Sequence, residues 1–204
     1  MQIIKPLFAL FCAHLAIASP ITTNGHPSVE LTERAPPPPS DALKKWNDEK
    51  GVPGNALTEG LHIFKAKYPR DEVKDQGLSD LIKEARNFLD ANHYVLVSVE
   101  VKQKERGPPK KKEKYLDVGD VKFFDIAVDK DGKVKSNKEG ATYNFAKAEE
   151  DKVEHQYLKK LGGKVKSFTG ITPVGKEYVS QHETYDPKTN NCMTFVDEVA
   201  KDLN

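Results

Sequence analysis

Cys192 is the residue of this chain best placed for covalent chemistry. It follows two asparagines, either of which can cap a helix, and the apolar positions after it recur at helical spacing: Phe195, Val196, Val199 and Leu203. A thiol in the first turn of a helix lies against unpaired backbone N–H groups and the positive end of the helix dipole, and both favour thiolate over thiol. The pattern therefore predicts a nucleophile. Because Cys192 shares the apolar stripe, an inert cysteine in the core is the alternative.

A thiol nucleophile needs a base within hydrogen-bonding reach, usually an imidazole. His93 is the candidate, because it opens the clearest strand of the chain and shares one face of that strand with a stripe of valines: Val95, Val97, Val99 and Val101. We expect a helix to pack on that face and to bring the cysteine to the ring. The alternative is that His93 is an ordinary histidine at the edge of the strand and has no catalytic role.

Asp125 is the candidate for the third polar group, the one that orients the base. Its neighbours Phe123, Phe124, Ile126 and Ala127 are apolar, an unusual setting for a carboxylate without a partner. If the chain reverses near residues 107–112, Asp125 returns to the level of His93, and an imidazole partner explains its position. A solvent-facing Asp125 is the alternative.

The other histidines are weaker candidates. His62 lies between two apolar residues and is the second choice of base, His155 is expected on the charged side of a helix, and His182 precedes the loop that leads to Cys192. None of them forms a His-x-x-x-His or Cys-x-x-Cys pattern, so neither a metal site nor a cofactor is expected.

The elements that must position these residues follow from hydrophobic periodicity and from Gly, Pro and capping signals. Helices are predicted over residues 40–46, 57–68, 79–92, 145–161, 172–182 and 191–203. Strands are predicted over residues 93–101, 121–128, 133–135 and 165–168. Helices and strands are segregated rather than alternating, so the expected fold class is α+β, with a small antiparallel sheet packed with several helices.

The order of these features resembles the circularly permuted papain-like proteins, a group that includes the NlpC/P60-related lecithin retinol acyltransferase-like proteins and the PPPDE-type peptidases. In that group a histidine-bearing strand precedes the cysteine helix, which often reads Tyr-x-x-x-x-x-Asn-Cys-x-x-Phe. The matching residues here are Tyr185, Asn191, Cys192 and Phe195. The resemblance covers residues 93–204 and implies a permuted papain-like arrangement with Cys192 as nucleophile and His93 as base.

Residues 1–18 have the features of a secretory signal peptide. Lys5 precedes a short apolar run, and residues 16–18 (Ala-Ile-Ala) form a small-x-small cleavage site. We therefore expect an extracellular protein. Cys12 would leave with the signal, so Cys192 would remain without an intramolecular partner. A disulfide-linked dimer is a further possibility, which the apolar surroundings of Cys192 disfavour.

Residues 19–39 are rich in proline and poor in aliphatic side chains, as in a flexible leader or a propeptide. Glu33-Arg34 resembles a processing boundary of fungal secreted proteins, and both alternatives remain open. Residues 40–204 are long enough for a single globular domain with its own core.

The charge balance gives little information about partners. Lys and Arg total 32 against 31 Asp and Glu, so no global argument supports nucleic-acid or membrane binding, and no apolar run after the signal could span a bilayer. The segment 102–114 has seven basic and two acidic residues, and its Lys110, Lys111 and Lys112 are candidates for binding an anionic group. A solvated hairpin tip is the alternative, and nucleic acid is not expected because no aromatic residues are interspersed.

These observations lead to two hypotheses from different classes. The first is a secreted cysteine-dependent hydrolase or acyl/amide transferase, acting on a peptide, lipid or amide. The second is a non-catalytic effector or surface-binding protein that keeps such a fold without the chemistry, with the lysine-rich hairpin or the proline-rich leader making the contact. The sequence does not determine the oligomeric state.

Overall fold

The computed structural model describes residues 37–71, 78–136, 139–163 and 165–203. The predicted signal peptide and residues 19–36 of the predicted leader lie outside this part. The described helices are α1 (Asp41–Asn47), α2 (Asp80–Leu89), α3 (Phe145–Glu150), α4 (Ile171–Gln181) and α5 (Cys192–Asp202). The described strands are β1 (Gly60–Pro69), β2 (Ala91–Arg106), β3 (Glu113–Phe124), β4 (Ile126–Val128), β5 (Val134–Ser136), β6 (Ala141–Thr142) and β7 (Glu154–Lys160).

The fold is mixed α+β, as predicted, and its main sheet has five strands in the order β6-β3-β2-β1-β7. Every neighbouring pair in this sheet is antiparallel. β2 and β3 form a long hairpin whose turn contains Gly107. β4 and β5 form a separate two-stranded hairpin, and the predicted turn between them has Gly132 at a φ of 75°, a conformation that favours glycine.

The main sheet separates two clusters of buried side chains. On one face α5 and α4 pack over the inner strands, through Phe195, Val196 and Tyr178 of the helices and Leu96 of β2. On the other face α1 and α3 cover the sheet around Trp46, with the predicted valine stripe beneath them. The valines therefore face away from the helix that carries Cys192, and the prediction that this helix packs on their face is wrong.

Two predicted helices are largely strands. The segment predicted as a helix over residues 57–68 contains β1, and the one predicted over residues 145–161 is the short α3 followed by β7. β1 and β7 pair with each other. The hydrophobic pattern of each segment fits the period of a helix as well as that of a strand, so the backbone hydrogen bonds between these distant segments decide the structure. His155 consequently lies on β7 and is only 4% exposed, rather than on the charged side of a helix.

Two smaller differences concern the other predicted strands. The predicted strand over residues 165–168 is absent from the described residues there, which lead into a 3-10 turn at Phe168–Gly170. The predicted strand over residues 121–128 is interrupted, because β3 ends at Phe124 and β4 begins at Ile126. Asp125 is the residue at that break, so it belongs to neither ladder.

α1 and α2 begin where their capping residues predicted. Ser40 caps α1, with its Oγ accepting a hydrogen bond from the Leu43 N–H at 3.1 Å, and Ser79 caps α2 through the N–H of Ile82. The apolar residues of α2 at helical spacing are buried or partly buried in the case of Leu81, Ile82, Ala85 and Leu89, but Phe88 is 52% exposed. These helices form from local signals that lie within a few residues of each other.

Candidate active site

The structure places Cys192 at the first position of α5, as the sequence predicts, and Asn191 is the residue that caps the helix. The Asn191 side chain accepts hydrogen bonds from the N–H groups of Met193 at 2.9 Å and Thr194 at 3.1 Å, while the Thr194 hydroxyl accepts one from the Asn191 N–H at 2.7 Å. This reciprocal pair is a capping box. It holds the start of α5 so that the positive end of the helix dipole acts on the buried thiol of Cys192.

The loop before α5 is held by its own polar contacts. Asn190 accepts a hydrogen bond from the Tyr178 hydroxyl of α4 at 2.7 Å and donates to the carbonyl of Thr184. The Asp186 carboxylate accepts from the N–H groups of Lys188 at 2.9 Å and Thr189 at 2.7 Å. Since both asparagines before the cysteine are buried and bonded, the position of the thiol is determined by α4 and by this loop as well as by α5.

His93 and Asp125 form a direct pair, although 32 positions separate them in sequence. The ring Nε2 lies 2.5 Å from Oδ1 of Asp125. The Asp125 side chain is 10% exposed and that of His93 is 33% exposed, so the carboxylate is buried behind the ring. The solvent-facing alternative for Asp125 is therefore wrong, and the expectation that the hairpin returns Asp125 to the level of His93 is confirmed.

The Cys192 thiol lies beside the His93 ring and interacts with it. Burial alone lowers the pKa of His93, because it penalises the charged ring, but the hydrogen bond with Asp125 and the interaction with Cys192 outweigh burial and raise this pKa to about 10. The ring therefore carries its proton at neutral pH. Because Nε2 is engaged by Asp125, Nδ1 is the nitrogen left to face the sulfur.

His93 reaches this position from the start of β2, where the pairing with β1 shifts. Tyr68 pairs with His93 and Pro69 pairs with Ala91, so Asn92 has no partner in β1. Such an extra residue interrupts the strict alternation of side chains along a strand. His93 lines the same pocket as Cys192, whereas the valines that follow it lie in the cluster on the opposite face of the sheet.

Tyr185 is a residue of the site to which the sequence analysis gave no role. It is 7% exposed, and its hydroxyl lies beside both the backbone N–H and the thiol of Cys192. Burial raises the pKa of Tyr185 above its ordinary value, and the charge that Cys192 can carry raises it further, so the hydroxyl keeps its proton. The only signal in the sequence is its place in the Tyr-x-x-x-x-x-Asn-Cys pattern.

A pocket of about 90 Å³ opens onto these groups. Cys192, His93 and Tyr185 line it together with Arg86 and Asn92, and the remaining wall is aliphatic. That wall comes from α2 and β4: Ile82, Ala85, Leu89, Ile126 and Val128. The site therefore combines a thiol, a charged imidazole and an apolar surface.

The other histidines of the described residues do not line this pocket. His62 is bonded to the Thr58 carbonyl at 2.7 Å, and burial lowers its pKa, so it is a neutral ring held within β1. His155 Nε2 is hydrogen-bonded to the Tyr143 hydroxyl at 2.7 Å, in the cluster on the opposite face of the sheet. His182 stacks on Tyr178 with ring centroids 4.2 Å apart.

The lysine candidates lie apart from the thiol. Lys110, Lys111 and Lys112 are exposed in the β2–β3 turn, at the end of β2 opposite His93, and Lys112 forms an ion pair with Glu105 at 2.9 Å. Within the described residues no group of three or more His, Cys, Asp or Glu side chains could hold a metal ion.

The comparisons with known proteins give no relative: no family model, no curated protein and no solved structure matches this chain. Among the helices of the described residues, none has the length and apolar character needed to cross a membrane.

Proposed function

We propose that this chain is a secreted cysteine-dependent hydrolase or acyl/amide transferase, in which Cys192 is the nucleophile, His93 the general acid and base, and Asp125 the residue that orients His93. The observation that carries the proposal is the meeting of thiol, imidazole and buried carboxylate at the capped start of α5. Nucleophilic catalysis by a thiol requires a base in contact with the thiol and an orienting group in contact with the base.

In the first half of the reaction, the Cys192 sulfur attacks the carbonyl carbon of the substrate. The C–S bond forms while the carbonyl π electrons move to oxygen. This oxyanion accepts a hydrogen bond from the Cys192 backbone N–H, and the Tyr185 hydroxyl, which lies beside that N–H, turns to donate a second. His93 then gives its proton to the leaving amine or alcohol as the bond to that group breaks, which leaves a thioester on Cys192.

In the second half, water or an acceptor hydroxyl or amine attacks the thioester. His93, now neutral, takes the proton of the attacking group, the C–S bond breaks, and the thiolate leaves beside the re-formed imidazolium. The pair returns to its starting charges, so no other reactant is required. Asp125 stabilises the charged ring at both stages, because its carboxylate lies 2.5 Å from Nε2.

The proposed arrangement is that of the permuted papain-like proteins. It is supported by the order of the parts along the chain, with the histidine strand β2 first, then the aspartate after β3, and the cysteine helix α5 last. The Tyr185, Asn191, Cys192 and Phe195 pattern supports the same proposal. Export is supported by the signal-like residues 1–18, and N-terminal sequencing of the protein in culture medium tests it, with Ser19 as the expected first residue if only the signal is removed.

The proposed function is tested by trapping the thioester. Full-length protein is mixed with the p-nitrophenyl ester of a short carboxylic acid, and the nitrophenolate burst and the intact mass are followed. Wild type should gain one acyl group on Cys192, Cys192→Ala none, and His93→Gln should acylate about 10² to 10⁴ times more slowly. His182→Gln is the matched control, because that ring lies outside the pocket, and it should behave as wild type.

Two results would overturn the proposal. One is the absence of any acyl adduct on Cys192 in protein whose thiol is still alkylated by iodoacetamide. The other is equal acylation rates in wild type and His93→Gln, since the ring would then have no part in the reaction. The non-catalytic hypothesis predicts one or the other of these results.

A further inference from the structure

The apolar wall of the pocket is separate from the groups that perform the chemistry. α2 contributes Ile82, Ala85 and Leu89, and β4 contributes Ile126 and Val128, while Arg86 and Asn92 are the polar residues of the lining outside the reactive groups. Ala85, Leu89 and Ile126 are buried, with at most 9% exposure, whereas Ile82 and Val128 are partly exposed. An aliphatic surface beside a nucleophile recognises the part of a substrate that carries no hydrogen-bonding groups.

The volume of the pocket limits the size of that part. A cavity of about 150 Å³ lined by aliphatic residues accommodates benzene, which has six carbons. At the same volume per carbon, the pocket of about 90 Å³ accommodates three or four carbons. A long lipid chain would leave most of its length outside.

On the basis of the proposed function, we infer that the substrate is an acyl compound whose acyl group is a compact aliphatic chain of about four carbons, bound between α2 and β4. The acyl group is the part that stays on Cys192 as a thioester while the leaving group departs with the proton from His93. The acyl group is therefore the part of the substrate that the aliphatic wall can bind in both halves of the reaction. A peptide that supplies the same group, through a branched aliphatic side chain, meets the same wall.

The inference predicts a chain-length optimum. Each methylene that the pocket buries should raise kcat/KM about fourfold, until the pocket is full. With p-nitrophenyl esters of acetate, butyrate and octanoate, the full-length chain should therefore acylate about 15-fold faster with butyrate than with acetate. Octanoate should gain nothing over butyrate, because its outer carbons remain in water.

Variants of Ile82 test the wall directly. Ile82→Ala removes three carbons from the opening and should move the optimum from butyrate to a longer acyl chain, such as hexanoate. Ile82→Phe narrows the pocket and should favour acetate. Phe88→Ala is the matched control, because Phe88 is on the same helix, 52% exposed, and does not line the pocket, so it should keep the wild-type preference. Far-ultraviolet circular dichroism verifies that each variant is folded, and Val128→Ala repeats the enlargement from β4.

The outcomes separate this inference from the proposed function. Acylation of Cys192 at equal rates by all three esters, or an unchanged preference in Ile82→Ala and Val128→Ala, overturns the inference and leaves the thiol chemistry intact. A preference that rises steadily to octanoate indicates an extended lipid chain and also overturns it. Failure of every ester to acylate an otherwise alkylatable Cys192 overturns both.

Discussion

Replacement of Asp125 by asparagine should lower the pKa of His93 by about 2 pH units. The asparagine Oδ1 can still accept the ring hydrogen bond, so the substitution removes the charge and leaves the shape. Because each charge is spread over its group, we take the two unit charges as about 4 Å apart, where they interact by about 4 kcal/mol in a partly solvated site, which corresponds to about 3 pH units. Since a third of the His93 side chain is exposed, solvent screening reduces the expected change to about 2.

The measurement is an NMR titration of protein labelled at the histidine rings. The resonance that disappears in His93→Gln identifies His93 among the six histidines of the chain. In wild type it should titrate near 10, and in Asp125→Asn near 8. Asp120→Asn is the control for the loss of one negative charge, because Asp120 is an exposed residue of β3, and it should leave the titration of His93 unchanged. A change below about 0.5 pH unit in Asp125→Asn, or a wild-type ring that titrates near 6.5, would refute the assigned role of Asp125.

The same pKa has a consequence for stability. The pKa of His93 is raised in the folded protein, so the folded state binds the ring proton more tightly than the unfolded state does. The resulting stabilisation is complete below pH 6.5, the ordinary value, and is lost as the pH rises through 10. After allowance for screening, we expect wild type to lose about 2 kcal/mol relative to His93→Gln between pH 6 and pH 11 in urea unfolding. A constant difference between the two proteins would contradict this.

Three further substitutions test two residues of the site and one buried polar pair on the opposite face of the sheet. Asn191→Ala should lower the free energy of unfolding in urea by about 1–2 kcal/mol and should slow acylation of Cys192. Asn144→Ala is the control at the exposed cap of α3, and it should cost about 1 kcal/mol and leave acylation unchanged. Equal effects of the two substitutions on acylation would exclude a positioning role for Asn191. Tyr143→Phe removes the hydroxyl that is hydrogen-bonded to the buried His155 Nε2 and should lower the free energy of unfolding by about 1–3 kcal/mol. A urea unfolding midpoint equal to that of wild type would contradict this expectation. Tyr185→Phe should lower kcat for ester hydrolysis about 10-fold to 100-fold with little change in KM, and an unaltered kcat would remove Tyr185 from the oxyanion site.

Much of the site could be predicted because its signals are local. The asparagine before Cys192 and the apolar spacing after it lie within a dozen residues, and together they determine where α5 begins and which residue is first in it. The same holds for α2, whose cap and apolar spacing predicted the helix, and for the central stretch of β2. Each of these elements is specified by hydrogen bonds or burial patterns within its own segment.

The errors occur where pairing between distant segments decides the structure. β1 and β7 have patterns that suit either a helix or a strand, and each becomes a strand because the other is available as its partner. The face that the valines cover was predicted incorrectly for a related reason. Both faces of a sheet enclosed by helices are apolar, so the pattern does not indicate which helix lies on which side.

The sequence alone determined that this chain has one cysteine beyond its signal-like start, that this cysteine begins a helix, and that a histidine opens a strong strand. The tertiary structure decided that the ring, the Asp125 carboxylate and the Tyr185 hydroxyl all meet at that cysteine, and that an aliphatic pocket of limited volume adjoins them. The reason is physical: capping and periodicity act over a few residues, whereas the site is assembled across segments that are adjacent only after the sheet has formed.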